Sequence, residues 1–146
     1  MESLTSVDID APLERVWAEA VDFASHAEWM KDAHAIRFES DQQEGPGTVL
    51  LIETRVGPFR TIDRFEITEV SPMRSVTGRH RGIFTGEGRF ELSSPEPGRT
   101  RFAWREQIRF PWYLGGPVGA WVGRPILARI WLSNLADLKR RIEHSL

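Results

Sequence analysis

The C-terminal stretch of the chain carries the most regular hydrophobic pattern in the sequence. Over residues 117–144, apolar side chains recur at intervals of three and four, the spacing typical of one face of an α-helix. The apolar positions are Val118, Trp121, Val122, Ile126, Ile130, Trp131, Leu135, Leu138 and Ile142. We therefore predict one long amphipathic helix with its apolar face buried. Pro125 cannot donate a backbone hydrogen bond, so we expect a bend there.

Alternating apolar and polar residues predict seven strands before this helix. The first strand covers residues 3–10, and the other six lie between residues 33 and 110, separated by turns that contain glycine and proline. Two short helices are expected between the first two strands, one beginning at Pro12 and one over residues 22–29. Pro12 suits the first helical position, and Asp10 is placed to cap that helix.

Each predicted strand has one apolar face, so the sheet needs a partner that covers it. Short turns between successive strands favour an antiparallel meander. Only the long helix is available to cover the apolar face, so the sheet should curl around that helix. The sequence thus predicts an α+β fold with a seven-stranded curved antiparallel sheet. The 146 residues, 40% of them hydrophobic, favour a single domain over residues 1–146.

Charge and composition exclude several classes of function. The formal net charge is -2, which gives no overall positive field for a nucleic acid, so we expect no nucleic-acid partner. The chain has no cysteine, and its four histidines show no metal-binding spacing, so we expect no metal site. No phosphate-binding glycine loop or nucleophile motif occurs, and we expect no cofactor.

The sequence also lacks the signals that direct a chain into or across a membrane. The first residues, Met1 to Leu4, contain no positively charged start followed by an apolar block. No run of about 18 apolar residues occurs, so we expect no stable membrane insertion. These features predict a cytoplasmic protein.

The order of elements and several short motifs resemble the START-like or SRPBCC superfamily. This superfamily includes polyketide cyclases/dehydrases, ubiquinone-binding proteins and relatives of the birch pollen allergen. The matching stretches are Ile9-Asp10-Ala11-Pro12, Val16-Trp17, Asp22, Trp29, Gly45-Pro46-Gly47-Thr48, Thr68-Glu69-Val70-Ser71-Pro72-Met73-Arg74, Gly98-Arg99-Thr100 and the final helix. The resemblance spans the whole chain. It implies a helix-grip fold with a hydrophobic cavity between sheet and helix, inside which some members catalyse reactions.

Two carboxylates lie at positions where the strand pattern predicts apolar side chains. Glu106 shares its parity with Trp104 and Ile108, and Asp63 shares its parity with Phe65. A buried carboxylate without a partner costs several kcal/mol or takes up a proton, which is how sites acquire acids and bases. Glu106 and Asp63 are therefore our candidate catalytic residues. There are three alternatives for each carboxylate. It pairs with a buried arginine, it lies exposed at the mouth of a cavity, or a bulge in the strand turns it to the opposite face of the sheet.

Glycines in the strand that follows residue 82 suggest space for a ligand. Gly86 and Gly88 share the apolar parity with Phe84, so they remove volume where the sheet should be packed. A bulge or a tight bend would explain them equally well. We select as ligand-binding candidates Phe65, Phe84, Gly86, Gly88, Trp104, Glu106, Ile108, Trp121 and Trp29. Residues 110–117 combine aromatic side chains with glycines and suit either a lid or ordinary packing before the helix.

Three functions fit these observations. The first is binding of a small hydrophobic molecule such as a lipid, a quinone or a polyketide-like aromatic. The second is a cyclase or dehydratase that uses Glu106 or Asp63 as acid or base. The third is a partner-binding subunit, such as one half of a homodimer, whose core is filled by its own side chains. The fold alone does not choose among them.

Overall fold

A computed structural model describes residues 1–145, and it contains the expected strands and helices. The strands are β1 (Glu2–Ile9), β2 (Ala33–Phe38), β3 (Val49–Val56), β4 (Phe59–Ser71), β5 (Ser75–Arg81), β6 (Thr85–Glu96) and β7 (Arg99–Arg109). The α-helices are α1 (Leu13–Val21) and α2 (Gly116–Glu143). Two 3-10 helices cover Phe23–Glu28 and Trp112–Leu114. The predicted order of elements is confirmed.

The seven strands form one antiparallel sheet in the order β1-β7-β6-β5-β4-β3-β2. Each strand from β2 to β6 lies beside the next strand in the chain, as a meander requires. β1 is added at the far side of β7, where Thr5 faces Trp104 and Ile9 faces Thr100. α2 packs across this end of the sheet, against β1 and β7. The α+β helix-grip architecture predicted from the sequence is therefore confirmed.

The main core lies where α2 crosses β1 and β7. Leu135, Leu138 and Ile142 on the helix are fully buried, as are Ile9 and Phe102 on the sheet. Such side chains each contribute about 1.5–3 kcal/mol when they leave water. The C-terminal half of α2 is thus the part that fixes the helix on the sheet.

The N-terminal half of α2 differs from the prediction. Val118, Trp121, Val122 and Ile126 are exposed, although the sequence pattern placed them on the buried face. The reason is geometric: an α-helix turns about 100° per residue, so each step of four residues drifts by about 40° around the axis. A chain of such steps from Val118 therefore leaves the face that contacts the sheet.

Two details at the start of α1 also differ from expectation. Pro12 occupies the cap position before α1 instead of the first helical position, and no side chain caps that helix. The backbone N–H of Asp10 donates to Glu143 Oε2 at 2.8 Å, so Asp10 joins the end of α2. The second short helix is a 3-10 helix, and α2 continues as one helix past Pro125, so the bend expected there stays a prediction. Within residues 1–145, no helix has both the length and the hydropathy of a membrane span.

Candidate functional site

A cavity of about 400 Å³ lies between the concave face of the sheet and α2. Its wall is formed by β2 to β7, by the loops that precede β2 and β6, and by the middle of α2. The apolar lining residues include Phe23, Ile36, Leu50, Ile52, Val56, Phe65, Ile67, Val76, Phe84, Phe90, Trp104, Ile108, Leu127 and Trp131. The volume lies within the range of about 300–1,000 Å³ that is common for small-molecule sites.

A buried hydrogen-bonded group interrupts this apolar wall. Glu106 on β7 is only 5% exposed, and its two carboxylate oxygens have different partners. Trp104 Nε1 donates to Oε1 at 2.8 Å, and His80 Nε2 lies 2.8 Å from Oε2. We call Trp104, His80 and Glu106 the polar triad. Both oxygens of this buried carboxyl group thus have a hydrogen-bond partner, as buried polar groups require.

Strand register explains how the polar triad comes together. Gly88 on β6 pairs with Glu106 on β7 and with Gly78 on β5, so it lies between the strands that supply the acid and the histidine. A Cβ atom at Gly88 would lie 3.0 Å from Oε1 and 3.1 Å from Oε2 of Glu106. Gly88 thus provides the space that the carboxylate occupies. At Gly78, a Cβ would lie 2.3 Å from the ring of Phe65, which packs against His80.

The electrostatic balance at His80 favours its protonated form. Burial acts to lower the pKa of His80, but the charge of Glu106, the hydrogen bond to it and the charge of Asp63 outweigh burial. The pKa of His80 is consequently raised above its ordinary value. A protonated His80 beside an ionised Glu106 forms a buried ion pair, which can give a proton to a ligand in the cavity and take one back.

Two further carboxylates line the cavity. Asp63 Oδ2 accepts a hydrogen bond from Thr61 at 2.6 Å, while its buried Oδ1 has no partner among residues 1–145. Asp32 Oδ1 accepts a hydrogen bond from Asn134 Nδ2 at 2.7 Å. Burial raises the pKa of Asp32, against the opposing effect of Asn134. Together with Glu106, the cavity wall therefore contains three carboxyl groups.

The structure places most of the predicted site residues in the cavity wall. Those in the wall are Phe65, Phe84, Gly88, Trp104, Glu106 and Ile108, together with Asp63. Their roles in ligand binding and catalysis stay predictions. Strand alternation found the residues on β4 and β7, because each of those side chains follows the parity of its strand; Phe84 lies just before β6.

Three predicted residues lie outside the wall. Gly86 has a φ angle of 137°, and a Cβ there would lie 1.8 Å from the backbone oxygen of Gln107, so this glycine allows close approach of β7. Trp121 points to solvent and is 78% exposed. Trp29 is buried in the main core, where its ring packs against Phe102 and Trp104.

Sequence reasoning missed five polar residues of the wall: His26, Asp32, Thr54, His80 and Arg89. His80 shares the parity of Val76 and Gly78 on its strand, so strand alternation could have indicated that it faces inward. Asp32 lies in the loop before β2 and His26 in a 3-10 helix, where no periodicity marks an inward side chain. Among residues 1–145, no group of three or more potential metal ligands comes together.

Solved structures with the same fold support the architecture. The Zhui aromatase/cyclase from Streptomyces sp. R1128 superposes with a TM-score of 0.80 at 16% identity, covering 98% of this chain and 93% of that one. A START superfamily protein from Mycobacterium smegmatis gives 0.75 at 15% identity, covering 99% of both chains. Norcoclaurine synthase from Thalictrum flavum, in complex with dopamine and hydroxybenzaldehyde, gives 0.74 at 11% identity, covering 99% and 87%. At these identities the similarity establishes the fold alone.

A match to a family profile, and not to an individual protein, identifies the family. A search of curated protein sequences finds no significant match. The family profile described as polyketide cyclase / dehydrase and lipid transport matches residues 2–143, nearly the whole chain. This match and the shared fold confirm the START-like resemblance seen in the sequence. The chain belongs to the polyketide cyclase / dehydrase and lipid transport family.

Proposed function

We propose that this protein binds a small hydrophobic molecule, such as a lipid, a quinone or a polyketide-like aromatic, in the cavity between the sheet and α2. The observation that carries this proposal is an apolar cavity of about 400 Å³ that contains one buried hydrogen-bonded group. Apolar walls with a few well-placed polar atoms are typical of small-molecule sites. The cytoplasmic location expected from the sequence is part of this proposal.

The chemistry of the wall supports an aromatic or polycyclic ligand. Phe65, Phe84, Phe90, Trp104 and Trp131 surround the cavity and offer ring faces and edges for stacking. The polar triad supplies hydrogen-bonding atoms within this wall. The family description includes both polyketide cyclisation and lipid transport, which supports a hydrophobic ligand without selecting one class.

Native mass spectrometry of the protein purified from cells tests the proposal directly. We expect a small hydrophobic molecule to co-purify and to be displaced by Nile red, whose fluorescence rises in apolar surroundings. Leu127 on α2 lines the cavity, so Leu127→Trp fills part of it and should weaken Nile red binding by at least about tenfold, a free-energy change of about 1.4 kcal/mol.

Leu132→Trp is the matched control. Leu132 lies on the same helix but is exposed, so the same substitution there should leave Nile red binding unchanged. Melting curves establish that both variants fold. Equal binding by both variants, or no binding of Nile red and no co-purifying molecule in the wild type, would refute the cavity as a ligand site.

The polar triad favours a second candidate function, an acid/base enzyme of the cyclase or dehydratase type. In a dehydration, Glu106 would accept a proton from a carbon of the ligand, and protonated His80 would give a proton to the departing hydroxyl, which leaves as water. His80 and Glu106 lie together in the wall, and the pKa of His80 is raised for the physical reasons given above. Asp63 is the alternative base, since it faces the same cavity.

Substitution of Glu106 separates the two functions. If the protein is an enzyme, Glu106→Gln should abolish turnover of a hydroxylated aromatic substrate while the ligand still binds. If the protein only binds its ligand, the same change should alter affinity modestly. Asp63→Asn is the parallel test of the alternative base. A subunit with a filled core, the third possibility raised by the sequence, does not fit an open cavity of this size.

A further inference from the structure

Large apolar side chains cover the outer side of the first half of α2 and the 3-10 helix before it. Trp112 is 86% exposed and Trp121 is 78% exposed, and other exposed apolar residues lie close to each of them along the chain. We call the following five residues the outer patch: Trp112, Tyr113, Val118, Trp121 and Val122. An exposed group of this kind marks a surface that binds something.

The outer patch is a coherent face of the molecule. Val118, Trp121 and Val122 are three and four residues apart, so they lie side by side on α2. The other side of this helical segment carries Ala120, which is buried, and Leu127, which lines the cavity. On α2, the outer patch therefore lies on a different face from the one that packs against the rest of the protein.

The patch also borders the cavity. Leu114 directly follows Trp112 and Tyr113, and it lines the cavity wall. Ile126, one helical turn after Val122, lines the wall and is also more than half exposed. Apolar surface thus continues from the outer patch over the rim and into the cavity.

The segment that carries the outer patch has charges of one sign. Residues 107–136 contain three arginines, Arg109, Arg124 and Arg129, and no aspartate or glutamate, whereas the whole chain has a net charge of -2. Arg124 and Arg129 are exposed, and Arg129 lies two helical turns after Val122 on the same side of α2. A partner for this face should be apolar and negatively charged.

These features distinguish between a second copy of the chain and a lipid surface. In a two-fold symmetric dimer the patch would face itself, so its arginines would approach arginines, and residues 107–136 supply no carboxylate to neutralise them. Tryptophan and tyrosine with nearby arginines instead suit the boundary between anionic headgroups and acyl chains. The charge pattern therefore favours a lipid surface over a second copy.

We propose that the outer patch docks this protein on the surface of an anionic lipid bilayer. The tryptophans and valines enter the headgroup region, and Arg124 and Arg129 contact lipid phosphates. This places the rim formed by Leu114 and Ile126 against the bilayer, so a hydrophobic ligand can pass between membrane and cavity. Only that last step rests on the proposed function; the docking itself does not.

Sedimentation with lipid vesicles tests the docking. The full chain should bind vesicles of phosphatidylcholine with phosphatidylglycerol more tightly than vesicles of phosphatidylcholine alone, and added salt should weaken the binding. Trp121→Ser should lower the affinity about tenfold, because a large apolar ring leaves the interface. Arg129→Gln should lower the affinity about fivefold, and only for the anionic vesicles.

Leu4→Ser is the matched control, since Leu4 is an exposed apolar residue on β1 and outside the patch. It should bind vesicles like the wild type. Equal losses for Leu4→Ser and Trp121→Ser, or no preference for anionic vesicles, would overturn the proposal. A dimer of the wild type would also overturn it, if light scattering without lipid shows that Trp121→Ser dissociates this dimer and the wild type does not bind vesicles. Nile red binding by Trp121→Ser reports separately on the cavity.

Discussion

His26 offers a test of the structure through the pH dependence of folding. Its Nε2 atom lies 3.2 Å from the backbone oxygen of Glu19 and 3.0 Å from that of Ala20. This nitrogen must therefore carry the proton and donate it to the two oxygens. The rings of Phe23 and Trp29 pack against the imidazole. Burial lowers the pKa of His26 to about 4, against the opposing effect of both backbone acceptors.

The lowered pKa gives the pH dependence a definite sign. The unfolded chain binds a proton at His26 near the ordinary value of 6.5, while the folded chain does not do so until about pH 4. The contribution of neutral His26 to stability is thus complete above about pH 6.5 and is lost as the pH falls toward 4. Because one pKa unit corresponds to about 1.4 kcal/mol, the loss is about 3 kcal/mol.

Urea unfolding of the wild type and of His26→Gln measures this loss. The glutamine can donate to the same backbone oxygens but does not titrate. Carboxylates also titrate in acid, so the informative quantity is the difference between the two proteins at each pH. Between about pH 7 and pH 4 the wild type should lose about 3 kcal/mol more than the variant. Parallel curves over this range would show that His26 is not buried as described.

Two further predictions concern the strands that hold the polar triad. The pKa of His80 is raised, so its pairing with Glu106 stabilises the fold fully below about pH 6.5 and less as the pH rises through the raised pKa. In urea unfolding, His80→Gln should therefore lower the free energy of unfolding most in acid, by about 3 kcal/mol. Gly86→Ala should lower the melting temperature by several degrees, because its Cβ would overlap the oxygen of Gln107. The control is Thr85→Ala, at the adjacent residue, which is exposed; it should change the free energy of unfolding by less than about 0.5 kcal/mol.

Strand alternation predicted the inward position of Glu106 but not its partner. Trp104 and Ile108 share the parity of Glu106 on one strand, so a local pattern was enough. His80 reaches the same carboxylate from β5, with β6 between the two strands. That meeting depends on the register of two strand pairs, which the sequence does not display directly. The inward carboxyl group of Glu106 could be proposed from the sequence, but its pairing with His80 could not.

The same limit explains the errors on α2 and β6. The spacing of three and four showed that residues 117–144 form a helix, but it was taken as one continuous face, although successive steps of four residues drift around the helix axis. Trp121 was consequently assigned to the cavity although it is exposed. On β6, Gly86 and Gly88 have the same parity but different roles, because one accommodates backbone and the other a carboxylate. Parity does not report how closely a neighbouring strand approaches.

The place of β1 in the sheet has a consequence for synthesis of the chain. As the polypeptide leaves the ribosome, β2 to β6 can pair in turn, because each lies beside the next. β1 pairs with β7, where Ser6 meets Ala103, so within residues 1–145 it has no neighbouring strand until most of the chain exists. Contacts so distant in sequence are slow to form, and unpaired strands invite aggregation. Nascent chains that end before residue 99 should therefore depend on chaperones and remain sensitive to proteases.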